Sequence, residues 1–202
     1  EYSLSVAYDL SSTVTHLDEL PTTGSTAPQD LAFNANGTEV FVVSSNGEIF
    51  SWTLATAYDV SNPTANHDIN LGDNLRGLKF NTDGSKMFVY NAVTDSVVEY
   101  TLSTAYDPST RSSTTVSFES TVITTDQQGM AFSSDGTKMY LVRGAVGGAA
   151  NFIAEYNLSI GYDLSSTITH VGTHEVNVDA DTEAISGLAF KPDGSKMFHA
   201  DY

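Results

Sequence analysis

The chain has 202 residues, of which 25 are Asp or Glu and only 8 are Lys or Arg, giving a formal net charge of −17. Charge of that sign repels nucleic acid phosphates and anionic lipid head groups, which excludes nucleic acid as a partner. The absence of cysteine excludes disulfides, thiolate chemistry and thiolate metal sites, and no apolar run approaches the roughly 18 residues that a membrane span needs, so no membrane insertion is expected.

In chain order, the first recognisable phrase is Leu4 to Asp9, which reads Leu, two residues, Ala, then Tyr-Asp. It returns at Leu54 to Asp59, Leu102 to Asp107 and Leu158 to Asp163, where Gly161 replaces the Ala. A second phrase alternates with it: Leu31-Ala32-Phe33 through Phe41, Leu78-Lys79-Phe80 through Phe88, Met130-Ala131-Phe132 through Tyr140, and Leu188-Ala189-Phe190 through Phe198. Its glycines, Gly37, Gly84, Gly136 and Gly194, stand 47, 52 and 58 residues apart, a period that belongs to propellers, solenoids or arrays.

Within each copy, apolar residues alternate with polar or small ones at period two, the pattern of a half-buried strand. Asn81-Thr82-Asp83-Gly84 and its partners end in the Asn or Asp plus Gly pair that suits a tight hairpin, because those residues tolerate positive φ. A third strand follows at Val97 to Leu102, matched by Ile49 to Leu54, Ile153 to Leu158 and Glu1 to Leu4. A weaker fourth is rich in Thr, Val and Ser, at Ser113 to Ser117, Thr167 to Val171 and Thr13 to Leu17. Four strands in about 50 residues make one propeller blade. The expected fold is therefore an all-β propeller of four-stranded antiparallel blades with four blade equivalents: a half blade over 1–24, blades over about 25–74, 75–124 and 125–184, and a half blade over 185–202.

The two half blades are complementary and are expected to share one blade, closing a four-bladed ring. The alternatives are a larger ring completed by a longer parent chain, or a homodimer joined through the open blade edges. Because residue 1 falls inside a repeat phrase, the chain is expected to derive from something longer. Tyr8, Tyr58, Tyr106 and Tyr162 are placed to fill the wedge between blades, and the Asp after each is suited to turning the backbone through its own carboxylate.

The phrase Gly187-Leu188-Ala189-Phe190-Lys191-Pro192-Asp193-Gly194-Ser195-Lys196-Met197-Phe198 resembles the repeat of bacterial and phage-associated β-propellers akin to the lactonase-like and YVTN surface-layer propellers, and more distantly WD40-like repeats. The resemblance covers essentially the whole chain and implies the fold. It transfers no catalytic residue, because propellers host hydrolases, lyases, lectins and scaffolds on one frame.

Functional candidates lie where the copies disagree. Just ahead of the innermost strand the four equivalents are Gln29-Asp30, Arg76-Gly77, Gln128-Gly129 and Ser186-Gly187, a position that faces the central funnel. Asp30 replaces a recurrent Gly, and Arg76 is expected to face it across adjacent blades. Gln29, Asp30, Arg76, Gln128 and Ser186 are thus the candidate ligand-binding set. Asp179, Asp181 and Glu183 alternate along an extended segment that offers oxygens to calcium, though without EF-hand spacing; a solvated acidic loop is the competing expectation. His170 and His174 would share a face of a regular strand, but a third zinc ligand is not in view. Lys86, Lys138 and Lys196 read as solvated. With no Cys and no Gly-x-Ser-x-Gly elbow, no catalytic residue and no cofactor are expected. The sequence thus suggests a non-enzymatic module at an extracellular, cell or virion surface, recognising a protein or carbohydrate ligand or serving assembly. Its alternative is part of a lactonase-like or lyase-like propeller enzyme, or a subunit of a larger ring or fibre.

Overall fold

The computed structural model describes residues 1–7, 9, 11–20, 27–72, 74–145, 150–176 and 184–201. Asp179, Asp181 and Glu183 lie outside the described residues. The strands are β1 (Tyr2–Leu4), β2 (Val14–His16), β3 (Pro28–Phe33), β4 (Glu39–Ser44), β5 (Glu48–Thr56), β6 (Asp59–Asn70), β7 (Leu75–Phe80), β8 (Lys86–Asn91), β9 (Ser96–Leu102), β10 (Arg111–Glu119), β11 (Gln127–Phe132), β12 (Lys138–Arg143), β13 (Phe152–Leu158), β14 (Ile168–Glu175), β15 (Ile185–Phe190) and β16 (Met197–Asp201). A 3₁₀ turn at Pro108–Thr110 is the only helical element among the described residues.

These strands form three complete antiparallel blades, β3 to β6, β7 to β10 and β11 to β14, here called blades I, II and III, flanked by the half blades β1–β2 and β15–β16. The half blades stand as separate two-stranded sheets, so the expected four-bladed closure is corrected. Successive sheets are spaced by packed ring pairs, Phe41–Phe80 at 4.7 Å, Phe88–Phe132 at 4.8 Å and Tyr140–Phe190 at 4.5 Å. That repeated packing sets the turn from blade to blade, and the turn leaves β1 and β16 unpaired with one another.

The core lies between blades. Phe41, Val43 and Ile49 of blade I pack on Leu75, Leu78 and Met87 of blade II, and Phe88, Tyr90 and Val97 of blade II pack on Met130, Met139 and Leu141 of blade III. Both faces of each inner sheet are therefore covered, which explains the near-continuous apolar runs of β4 and β8.

Each complete blade is locked by its Tyr-Asp phrase. Tyr58, Tyr106 and Tyr162 adopt φ of 62°, 59° and 55°, which lays each ring over the hairpin glycine of its own blade. The Tyr106 N–H donates to the Gly84 carbonyl at 2.9 Å and its hydroxyl to the Thr82 carbonyl at 2.7 Å. A Cβ on Gly84 would meet the Tyr106 ring at 2.3 Å, and φ there is +73°, so the hairpin requires glycine for two reasons. The following Asp turns the chain as expected: Asp59, Asp107 and Asp163 each accept from the backbone N–H of Ser61, Ser109 and Ser165 at 2.9 Å.

A further device links blades II and III. Glu99, on β9, accepts from the Leu164 N–H at 2.8 Å and pairs with Lys86 at 2.6 Å, while Lys86 also donates to the Tyr162 carbonyl at 2.7 Å. Lys86 is accordingly not the solvated side chain its position suggests. Glu1 repeats the bond two interfaces earlier, between the first half blade and blade I, accepting from the Val60 N–H at 2.8 Å. At the interface between blades I and II the device is missing in all its parts. Ser51 stands where Glu99 stands, Glu39 replaces the Lys, and Pro108, which follows Tyr106-Asp107, has no N–H to give.

Candidate functional site

Every first strand is bulged at the same place. The register shifts by one residue between Pro28 and Asp30, Leu75 and Gly77, Gln127 and Gly129, and Ile185 and Gly187. The extra residues are Gln29, Arg76, Gln128 and Ser186, and a bulge re-aims the side chain it frees. Gln29, Asp30, Arg76 and Ser186 line one cleft of about 220 Å³ together with Lys79, Gly129 and Gly187. Gln128 lies beside it, accepting from the Arg76 guanidinium at 2.6 Å and donating to the Gly144 carbonyl at 3.4 Å.

Arg76 does not face Asp30 as expected. Asp30 instead pairs with Lys79 at 2.6 Å, and it also accepts from the Leu78 N–H at 3.0 Å and the Leu31 N–H at 2.8 Å. The reason lies in the pleat. Residues two apart share a strand face, so Lys79 falls beside Asp30 of the neighbouring strand, while the bulge turns Arg76 the other way, towards blade III. Lys79 is the residue that sequence reasoning missed. The signal was available, because Lys79 occupies a position held by Ala32, Ala131 and Ala189 in the other copies; the two departures from the repeat, Asp30 and Lys79, answer one another. With Lys79 paired to Asp30, Arg76 is the cation of the cleft that forms no ion pair among the described residues.

Two further polar pairs lie outside the residues that line the cleft. Tyr90 donates its hydroxyl to Asp95 at 2.7 Å, and burial, followed by the Asp95 carboxylate, pushes its pKa far above the usual tyrosine range, so the phenol stays protonated. Arg143 sits 3.5 Å from Asp126 and donates to the Ala150 carbonyl at 2.6 Å. Glycine admits close packing in the cleft itself: a Cβ on Gly129 would lie 2.6 Å from the Ser186 carbonyl oxygen.

The histidine expectation is corrected. Val171 is bulged out of register, His170 pairing with Tyr156 and Gly172 with Glu155, which puts His170 and His174 on opposite faces. His170 packs on the Tyr156 ring at 5.4 Å. Among the described residues no group of three metal-ligating side chains occurs.

No protein-family model matches the chain, and no curated protein matches its sequence. Solved structures do. A protein from Bacteroides uniformis, described as a putative 6-phosphogluconolactonase, superposes with a TM-score of 0.58 at 16% identity, over 93% of this chain and 52% of its own. A protein from Bacteroides fragilis with the same description gives 0.57 at 15% identity, over 93% and 52%. A protein from Lactobacillus plantarum gives 0.55 at 16%, over 86% and 50%. The chain thus spans about half the length of these structures. The expectation of a non-enzymatic recognition or assembly module is corrected by these neighbours, two of which are described as lactonases, the class named as its alternative. At this level of identity the likeness establishes the fold alone, a β-propeller-type arrangement of four-stranded antiparallel blades.

Proposed function

We propose that the chain is the funnel-bearing part of a propeller lactonase, a hydrolase of sugar lactones, and that its substrate enters the cleft between the first strands. The observation that carries the reading is the convergence of the bulged first strands on one cleft that concentrates Arg76 and Lys79 in a chain of net charge −17. Two structures of this fold described as 6-phosphogluconolactonases support the choice of substrate class.

Lactone hydrolysis adds water to the ring carbonyl, builds negative charge on its oxygen and then expels the ring oxygen as a hydroxyl. Donors already fixed in place stabilise that developing charge most effectively. Arg76 suits the task, since Gln128 holds one of its five N–H groups and so orients the planar fork. Asp30 serves as a positioning residue: it fixes Lys79 within the cleft while its own oxygens are occupied by two backbone N–H groups.

The test is hydrolysis of glucono-δ-lactone and its 6-phosphate, followed by proton release at constant pH. Arg76→Ala is expected to lower kcat/KM about tenfold or more, which corresponds to about 1.4 kcal/mol of transition-state stabilisation. Hydrolysis no faster than the spontaneous rate by the unaltered chain removes the reading.

A further inference from the structure

The two half blades each expose an apolar face that the complete blades bury wholly or in part. Met197 and Phe198 of β16 are 37% and 57% exposed, whereas Met87 and Phe88 at the same repeat positions are both fully buried. Tyr2 of β1 is 64% exposed, whereas Tyr156 at its repeat position is 2% exposed. The last hairpin also lacks its lock. Among the described residues nothing lies within 4 Å of a Cβ on Gly194, although the equivalent position on Gly37, Gly84 and Gly136 is covered by a tyrosine ring. A cavity of about 700 Å³ opens there, lined by Tyr140, Phe190, Lys138 and Gly194 among others.

Charge completes the pattern. Lys138 and Glu155 hold one another on the blade III side of this cavity, in the repeat positions of Lys86 and Glu99. The latter pair grips the backbone of the next Tyr-Asp phrase through the Tyr162 carbonyl and the Leu164 N–H. Lys138 and Glu155 are partly exposed and grip no such phrase among the described residues. What fits is a hairpin of third and fourth strands carrying Tyr-Asp, the composition of β1–β2 with Leu4 to Asp9.

We propose that this face is the docking site for the β1–β2 hairpin of a second copy of the chain, so that two copies related by a twofold axis close a ring of three complete blades each and two shared ones. The register follows from blade III. There Lys138 opposes Asn157 and Met139 opposes Tyr156, so Lys196 of one copy opposes Ser3 of the other and Met197 opposes Tyr2. A second copy, rather than the chain's own hairpin, is favoured because the arc superposes on half the length of longer propellers and leaves its own half blades in separate sheets. The docking would also wall the side of the funnel that this arc leaves open.

The chain has no cysteine, which makes a clean test available. In antiparallel strands, directly opposed residues lie within disulfide reach. Mild oxidation of a mixture of Ser3→Cys and Lys196→Cys chains is expected to yield a linked species of twice the 21.6 kDa chain mass, with the offset pair Leu4→Cys and Lys196→Cys linking at least tenfold less. Sedimentation of the unaltered chain should give the doubled mass, and Glu155→Ala or Tyr8→Ala should raise the dissociation constant at least tenfold with an unchanged far-ultraviolet spectrum. A unit mass at every concentration overturns the proposal, as does an internal disulfide formed within a single chain carrying both cysteines in preference to the linked pair. These readouts do not depend on lactone turnover.

Discussion

Replacing Glu99 by Ala tests whether the blades are held by the Lys–Glu device or by apolar packing alone. Glu99 is buried, with 6% of its side chain exposed, and Lys86 is 24% exposed. Truncation strands the buried Leu164 N–H, at a cost of about 1–3 kcal/mol for a donor left without its acceptor. It also leaves Lys86 with the Tyr162 carbonyl and a partial route to water, adding about 1 kcal/mol. The expected loss is about 3 kcal/mol, at the lower edge of the range for breaking a buried ion pair. For a chain of this size that lowers the Tm by roughly 6–12 °C. Glu155→Ala is the internal control: its pair with Lys138 has side chains 32% and 42% exposed, and such pairs contribute about 0–1 kcal/mol. Urea unfolding followed by far-ultraviolet circular dichroism, at concentrations too low for chains to associate, gives both values. If Glu99→Ala costs no more than Glu155→Ala, the attribution of inter-blade strength to the buried device is wrong.

Two further outcomes are expected. Gly129→Ala should destabilise the fold by about 1–3 kcal/mol, because its Cβ would sit 2.6 Å from the Ser186 carbonyl oxygen, whereas Gly187→Ala should cost less than 1 kcal/mol, its Cβ meeting only the Ala200 methyl at 3.6 Å; equal thermal shifts would refute this. Asp135 is held down from 3.8 to about 2, first by the Ser133 hydroxyl and then by the Thr137 N–H and hydroxyl, and Asp193 is held down to about 2 by Lys191 and Ser195. Carboxyls lowered in the folded state stabilise it above their unfolded value and lose that contribution as pH falls. The hairpins should therefore weaken between about pH 4 and pH 2, and carbon-detected titration should place both midpoints near the lower figure rather than near 3.8.

The repeat made the strands, the hairpins and the Tyr-Asp turns legible, since each depends on neighbours within a few residues: Asp107 turns the chain through Ser109, and Gly84 supplies the positive φ its hairpin requires. It also pointed to the bulged positions, because copies that disagree against a constant frame stand out. Pairings across blades were not legible. Whether Asp30 meets Arg76 or Lys79 depends on a one-residue bulge and on which way the pleat turns each side chain; the only sequence trace of the outcome is that Asp30 and Lys79 both depart from the repeat. The same holds for Lys86, which reads as a surface lysine until the next blade brings the Tyr162 carbonyl to it. Ring closure lay furthest out of reach, because it depends on the small rotation between packed sheets added up over the whole arc. Local sequence determined each blade, and only packing between blades decided how the half blades stand and which charges meet in the funnel.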